Sequence, residues 1–309
     1  MLVVGEVDTG LLRGYPPGDG GESLVDLVPG ERVLVSTRPR SYVRSPERPV
    51  GVDCPLGARE VRGIGTALQR AAITGNEVVQ GSAYATIVPS GHTARRPWSH
   101  YLARPGRIET VGEPRWDEIA DALAAPERAR AALDLGAVAQ RATNDVQNAV
   151  RGAAGESFRA ARSRLRWVAR AGEDGAPLSG VHFEVHGHKL RLLRFDAGAA
   201  SPAALAAACE DVALHDWLLT TLTGILDRAG SDLTGTPASA ARIRSVVSHL
   251  LHLWMPGARL TASMRRFWVP LEERAGFGRQ WGTSVQRIRD HLAMSTLQRL
   301  GAAAPGASA

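Results

Sequence analysis

The chain has 309 residues, enough for two ordinary hydrophobic cores, and its 44% hydrophobic and 22% charged content excludes a disordered polypeptide. The net charge is +6, and Lys189 is the only lysine among 37 basic residues, so the excess is arginine. That composition is explained first by GC-rich coding, and it points only weakly to recognition of phosphate or an acidic partner.

No apolar run reaches the length of a membrane span; the longest, 217–226, is broken by threonines. The N-terminal Leu2-Val3-Val4 run has no basic residue before it and meets Glu6 at once, so it reads as a strand and not a signal peptide. Cys54 and Cys209 lie far apart, which argues against a disulfide framework and for a reducing, cytoplasmic setting.

Residues 1–112 read as β-rich. Short strand-like runs occur at 2–4, 32–35 and 108–111, and a hairpin is expected to join 61–73 to 78–88 through Thr74-Gly75-Asn76-Glu77. Loops rich in proline, glycine and arginine separate these runs, which suggests a small antiparallel barrel or sandwich. From Trp116 alanine becomes abundant and helical periodicity takes over. Helices are expected at 116–125, 127–151, 156–170, 202–229, 238–255 and 283–299. In 238–255 the residues Ile243, Val246, Val247, Leu250, Leu251 and Trp254 form a core-facing stripe. The expected fold is therefore α+β: a β domain over 1–112, a mainly helical domain over 113–300 holding one β-hairpin at 181–196, and a disordered tail over 301–309.

That hairpin carries His182, Glu184, His186 and His188. On one continuous strand they share a face, a set of residue types that could bind a divalent metal and support a metal-dependent enzyme, with Glu184 as a ligand or base. His186-Gly187-His188 also resembles the opening of a cupin metal motif, although the glutamate that should follow is missing. A two-residue turn at Gly187-His188 predicts a plainer object. It puts Val185 opposite Leu190, Phe183 opposite Leu192 and Glu184 opposite Arg191, with His188 in the turn.

Other candidates are surfaces. Arg159, Arg162, Arg166 and Arg170 would form one stripe on a helix over 156–170, suited to phosphate, nucleic acid or an acidic protein, or simply to water. Arg95, Arg96, Trp98 and Tyr101 mix cations and aromatics in a loop, either a stacking platform or aromatics that anchor the loop. His249 and His252, the pair His215-Asp216, Cys54 and the lone Gly63-Ile64-Gly65 complete no recognisable catalytic or nucleotide-binding frame.

Several segments resemble a family of uncharacterised actinobacterial proteins carrying a Streptomyces locus name. They are Gly5-Glu6-Val7, 52–55 (VDCP), 73–75 (ITG), 80–83 (QGSA), 97–106 (PWSHYLARPG) and 252–257 (HLWMPG). The resemblance implies a genomic neighbourhood with a variant P-loop protein and a methyltransferase, and implies no reaction. Composition, motifs and resemblance together lead to the expectation of a non-catalytic component of a multi-protein system with protein partners, no membrane and no cofactor.

Overall fold

In a computed structural model, residues 1–12, 34–36, 42–57, 61–92, 94–127, 132–150, 160–172, 178–230, 250–258 and 260–303 are described. Among these described residues ten strands form one mixed sheet. They are β1 (Leu2–Leu11), β2 (Leu34–Ser36), β3 (Tyr42–Arg44), β4 (Arg48–Pro55), β5 (Arg62–Thr74), β6 (Val78–Pro89), β7 (Arg107–Val111), β8 (Ser163–Arg170), β9 (Ser179–His186) and β10 (Leu190–Asp196). The order is β2-β3-β5-β7-β6-β1-β8-β10-β9, with β4 also paired to β5.

The hairpin of β5 and β6 forms as expected. Thr74 pairs with Val78 across a turn in which Gly75 and Asn76 take left-handed φ of 61° and 59°, a conformation those two residues accept most readily. The two strands stay paired as far as Leu68 and Tyr84. They then splay, and β7 enters between them, antiparallel to β5 and parallel to β6.

The expected barrel does not form. β1 uses both its edges, β6 on one side and β8 on the other, so β8, β10 and β9 extend the sheet outward instead of closing it. The join expected at 112–114 therefore lies between strands of one continuous sheet.

Every residue of β1 is buried, because helices cover both faces. Leu2 and Val4 point to the face under α2 (Trp116–Ala124) and α3 (Leu135–Ala149), where they meet Ile119, Leu123, Ala139 and Val168. Val3 and Val7 point to the other face, under α4 (Pro202–Gly230), with Trp167, Phe195, Leu205 and Val212. The C-terminal half of α4 packs through Trp217, Leu218 and Leu222 on Trp281 and Ile288 of α6 (Phe277–Ala303). A short α5 (Ala262–Arg265) and a π-helical turn (Leu271–Ala275) lead into α6. Helix α3 lies directly on the backbone of β6: a Cβ placed on Gly81 would stand 2.0 Å from the Ala139 carbonyl oxygen.

Three further expectations are corrected. Residues 163–170 form a strand, not the end of a helix. Ser163, Leu165, Trp167 and Ala169 alternate with Arg164, Arg166, Val168 and Arg170, and β1 and β10 supply the hydrogen-bonding partners that make the two-residue period the effective one. The 181–196 hairpin forms one residue out of the expected register. Its loop is Gly187-His188-Lys189, so Leu190 pairs with His186, Leu192 with Glu184 and Arg191 with Val185. The tail is helical as far as Ala303, with 304–309 outside the described residues. Helices 116–125, 202–229 and 283–299 have counterparts in α2, α4 and α6, while 127–151 is reduced to α3 among the described residues. Most of the expected helix 238–255 lies outside the described residues, and at its end 251–253 is a single 3₁₀ turn.

Candidate functional site

A compact corner of exposed aromatic and basic side chains is built on α1 (Trp98–Leu102), which follows Pro97 and lies against β5. Tyr101 is the anchor. It is buried, its hydroxyl accepts the Arg96 amide at 3.0 Å, and its ring meets Trp98 and His100 edge-on at 5.8 and 5.1 Å. Trp98 stands over the backbone of β4 at Gly51 and remains 39% exposed. The Arg95 guanidinium lies 5.6 Å from the centre of the Trp98 ring and reaches Asp53 at 3.1 Å, and Arg62 pairs with the same carboxylate. Behind α1 the buried Glu109 accepts Arg104 at 3.0 Å and His100 at 3.2 Å. Arg96 contacts His92 at 3.1 Å. One turn along α1 from Trp98, Leu102 is 56% exposed. All four residues expected here, Arg95, Arg96, Trp98 and Tyr101, are thus gathered, although Tyr101 is a support and not a contact surface.

The arginine stripe is not assembled as expected. Arg166 is buried and donates to Glu6 at 2.9 Å and to the Ala125 carbonyl at the end of α2. Arg170 pairs with Asp117 of α2 at 2.9 Å, and Arg194 of β10 pairs with Asp121 at 2.7 Å. Arg162 contacts Asn144 and Asp8 at 2.7 and 3.4 Å, beside a cleft of about 170 Å³ also lined by Leu11, Gln147 and Ala160. Burial raises the Asp8 carboxyl above its ordinary range, against the pull of Arg162. Arg159 lies outside the described residues. Arg166 and Arg170, which a helix would have presented to solvent, instead fasten α2 to the sheet.

The hairpin residues His182, Glu184 and His186 do share a face, on the edge strand β9. Each histidine Nε2 meets a different oxygen of Glu184, at 2.7 and 2.8 Å, and these hydrogen bonds hold the carboxyl below its ordinary range. Among the described residues no group of three or more His, Cys, Asp or Glu side chains is arranged to hold a metal ion.

One polar site was missed by sequence reasoning. Helix α4 buries Glu210, Asp211, His215 and Asp216 in its apolar surroundings. Glu210 takes Arg70 Nε and Nη2 at 2.7 and 2.9 Å, and Arg70 Nη1 reaches Glu47 at 2.7 Å, where Tyr84 also donates. Burial opposes the charge on Arg70, yet the Glu210 carboxylate outweighs it and holds the guanidinium protonated. Asp211 accepts the Gly257 amide at 2.7 Å and the Trp268 indole at 2.8 Å. His215 accepts the Met255 amide on Nε2 at 3.1 Å, which leaves the proton on Nδ1, directed at the Asp211 carbonyl 2.6 Å away. Its ring sits edge-on between Trp254 and Trp268. Asp216 meets Arg191 at 2.9 Å; burial raises its carboxyl above the ordinary range and Arg191 opposes the rise. The signal in the sequence was the acid pair Glu210-Asp211 and the pair His215-Asp216 on an otherwise apolar helix, since such groups are buried only with partners. These groups join α4 to β5, to β10 and to the 254–268 segment.

Cys54 is half-buried, and burial together with Asp53 pushes its thiol up to about 11, so it is protonated at neutral pH. No described helix is long and apolar enough to cross a membrane. No family model, curated protein or solved structure matches the chain.

Proposed function

We propose that the protein is a non-catalytic binding component of a larger assembly, and that it contacts an acidic protein partner through the α1 corner. One observation carries this reading: Trp98 is packed against Tyr101 and Arg95 while 39% of its surface stays open. A packed tryptophan beside exposed Leu102 and ringed by arginines has the composition of an interface hot spot. Arg62, Arg95, Arg96 and Arg104 outnumber the two carboxylates Asp53 and Glu109 there, which favours an acidic surface opposite. The first partners to test are the variant P-loop protein and the methyltransferase that the family resemblance implies, within a cytoplasmic setting.

The test is a pull-down from the native host followed by calorimetry on the captured protein. Trp98→Ala is expected to weaken binding at least tenfold, roughly 1.4 kcal/mol or more, without lowering the melting temperature. Equal binding by wild type and variant, or no partner at all, refutes the reading. Two alternatives are decided alongside. Stoichiometric metal lost on His182→Ala would instead establish a metal-binding hairpin built on His182, Glu184 and His186. Salt-sensitive binding of DNA or RNA would turn the basic corner into a nucleic-acid surface.

A further inference from the structure

The two ends of the sheet are unlike each other. At one end β2 is three residues long and the neighbouring β4 carries Pro49 and Pro55, which blunt an edge. At the other end β9 runs for eight residues without proline. Its outer edge has no strand beside it among the described residues. Gly180, with φ of 62°, and a register shift between Arg194 and Asp196 mark an irregular start, after which 182–186 pair regularly with β10. This segment is also open: Val185 is 60% exposed, and the side chains of His182, Glu184 and His186 are 62%, 39% and 36% exposed. Such an edge presents a row of backbone donors and acceptors to another strand.

We propose that β9 pairs antiparallel with β9 of a second copy of this chain, about a twofold axis at Phe183. In an antiparallel pair, residues directly opposite lie on the same face of the sheet. A twofold axis at Phe183 sets Glu184 opposite the second copy's His182, twice, with their Cβ atoms about 5 Å apart. The exposed Val185 then lies opposite the second copy's Val181 on the other face. A shift of the axis to Glu184 would set two carboxylates face to face, and a shift to His182 would leave each Glu184 opposite a glycine. The charge pattern therefore selects one register and a second copy of the same strand as its partner. The inner side of Phe183 stays on Phe277 at 5.3 Å, so nothing in the hairpin core has to move. The proposal does not rest on the α1 corner and survives if that reading fails.

Sedimentation equilibrium on the full chain tests it. Wild type is expected to dimerise over about 1–100 µM, as suits a contact below the roughly 1,200 Å² lower limit of standard interfaces. Glu184→Lys sets a cation opposite the second copy's His182, and is expected to weaken the dimer about tenfold or more. The swap His182→Glu with Glu184→Lys restores an opposite pair at both positions and is expected to return dimerisation to within about threefold of wild type. As a second readout, His182→Cys and Glu184→Cys proteins mixed under mild oxidation should cross-link to each other faster than either does alone. A monomer at about 100 µM overturns the proposal. So does a dimer indifferent to Glu184→Lys, a folded swap variant that stays as weak as the single variant, or a mixture that cross-links no faster than its components.

Discussion

Glu210→Ala isolates what the buried network on α4 contributes. The substitution takes both oxygens from Arg70, whose side chain is 1% exposed, and leaves Nε and Nη2 without acceptors in a site where water cannot replace them. Removing one partner of a buried pair costs about 3–5 kcal/mol, because the remaining charge is left uncompensated. Glu47 still accepts from Nη1, and its side chain is 32% exposed, so the lower end applies: about 3 kcal/mol. For a chain of this size each kcal/mol moves the melting temperature by about 2 °C, which predicts a loss of about 6 °C in thermal unfolding followed by circular dichroism. Glu210→Gln, which can still accept one hydrogen bond, should fall between. The double variant Arg70→Met with Glu210→Leu removes both charges and should recover most of the loss, since apolar replacement of a buried pair is close to neutral. A shift below about 1 °C for Glu210→Ala, or a double variant no more stable than the single, would refute the account of the pair.

Other substitutions read other parts of the structure. Asp211→Ala strands the Gly257 amide and the Trp268 indole, and should cost about 2–4 kcal/mol while loosening the 254–268 segment, visible as faster hydrogen exchange there than elsewhere. Gly81→Ala forces α3 off the backbone of β6 and should destabilise by about 2–3 kcal/mol in urea unfolding; a neutral result would mean the helix can ride outward freely. The Cys54 thiol, raised from 9.0 to about 11, should alkylate about a hundredfold more slowly at pH 8 than an unshifted thiol, and speed up as pH rises toward 11. Rapid labelling of Cys54 at pH 7 would contradict the burial that causes the shift. Buried Cys209 should react only when the chain unfolds, which mass spectrometry of partially labelled protein can check.

The α1 corner was legible because its residues are neighbours in the chain: Arg95, Trp98 and Tyr101 need only one helical turn and one loop to meet. The arginine row was misread for the opposite reason. Arg162, Arg166 and Arg170 are spaced to share a face of either a helix or an alternating strand, and pairing of 163–170 with β1, about 160 residues earlier, and with β10 decides between them, Glu6 then meeting Arg166. The hairpin register failed in the same way. Glu184 opposite Arg191 is the better local pair, but Arg191 lies opposite Val185 and finds its partner in the buried Asp216 on α4, a residue the hairpin itself does not contain.

Local periodicity and turn residues by themselves determined the β5–β6 hairpin and helices α2, α4 and α6, because each depends on contacts within a few turns of chain, whereas the stretch at Trp98, read as a loop, holds the short helix α1. Only the tertiary structure decided that β1 lies at the centre of one open sheet, that the arginines at 166 and 170 clasp α2, and that the acids of α4 are internal. Strand pairing and ion pairing join residues distant in the chain, and a buried charge is stable only beside a partner that the fold delivers.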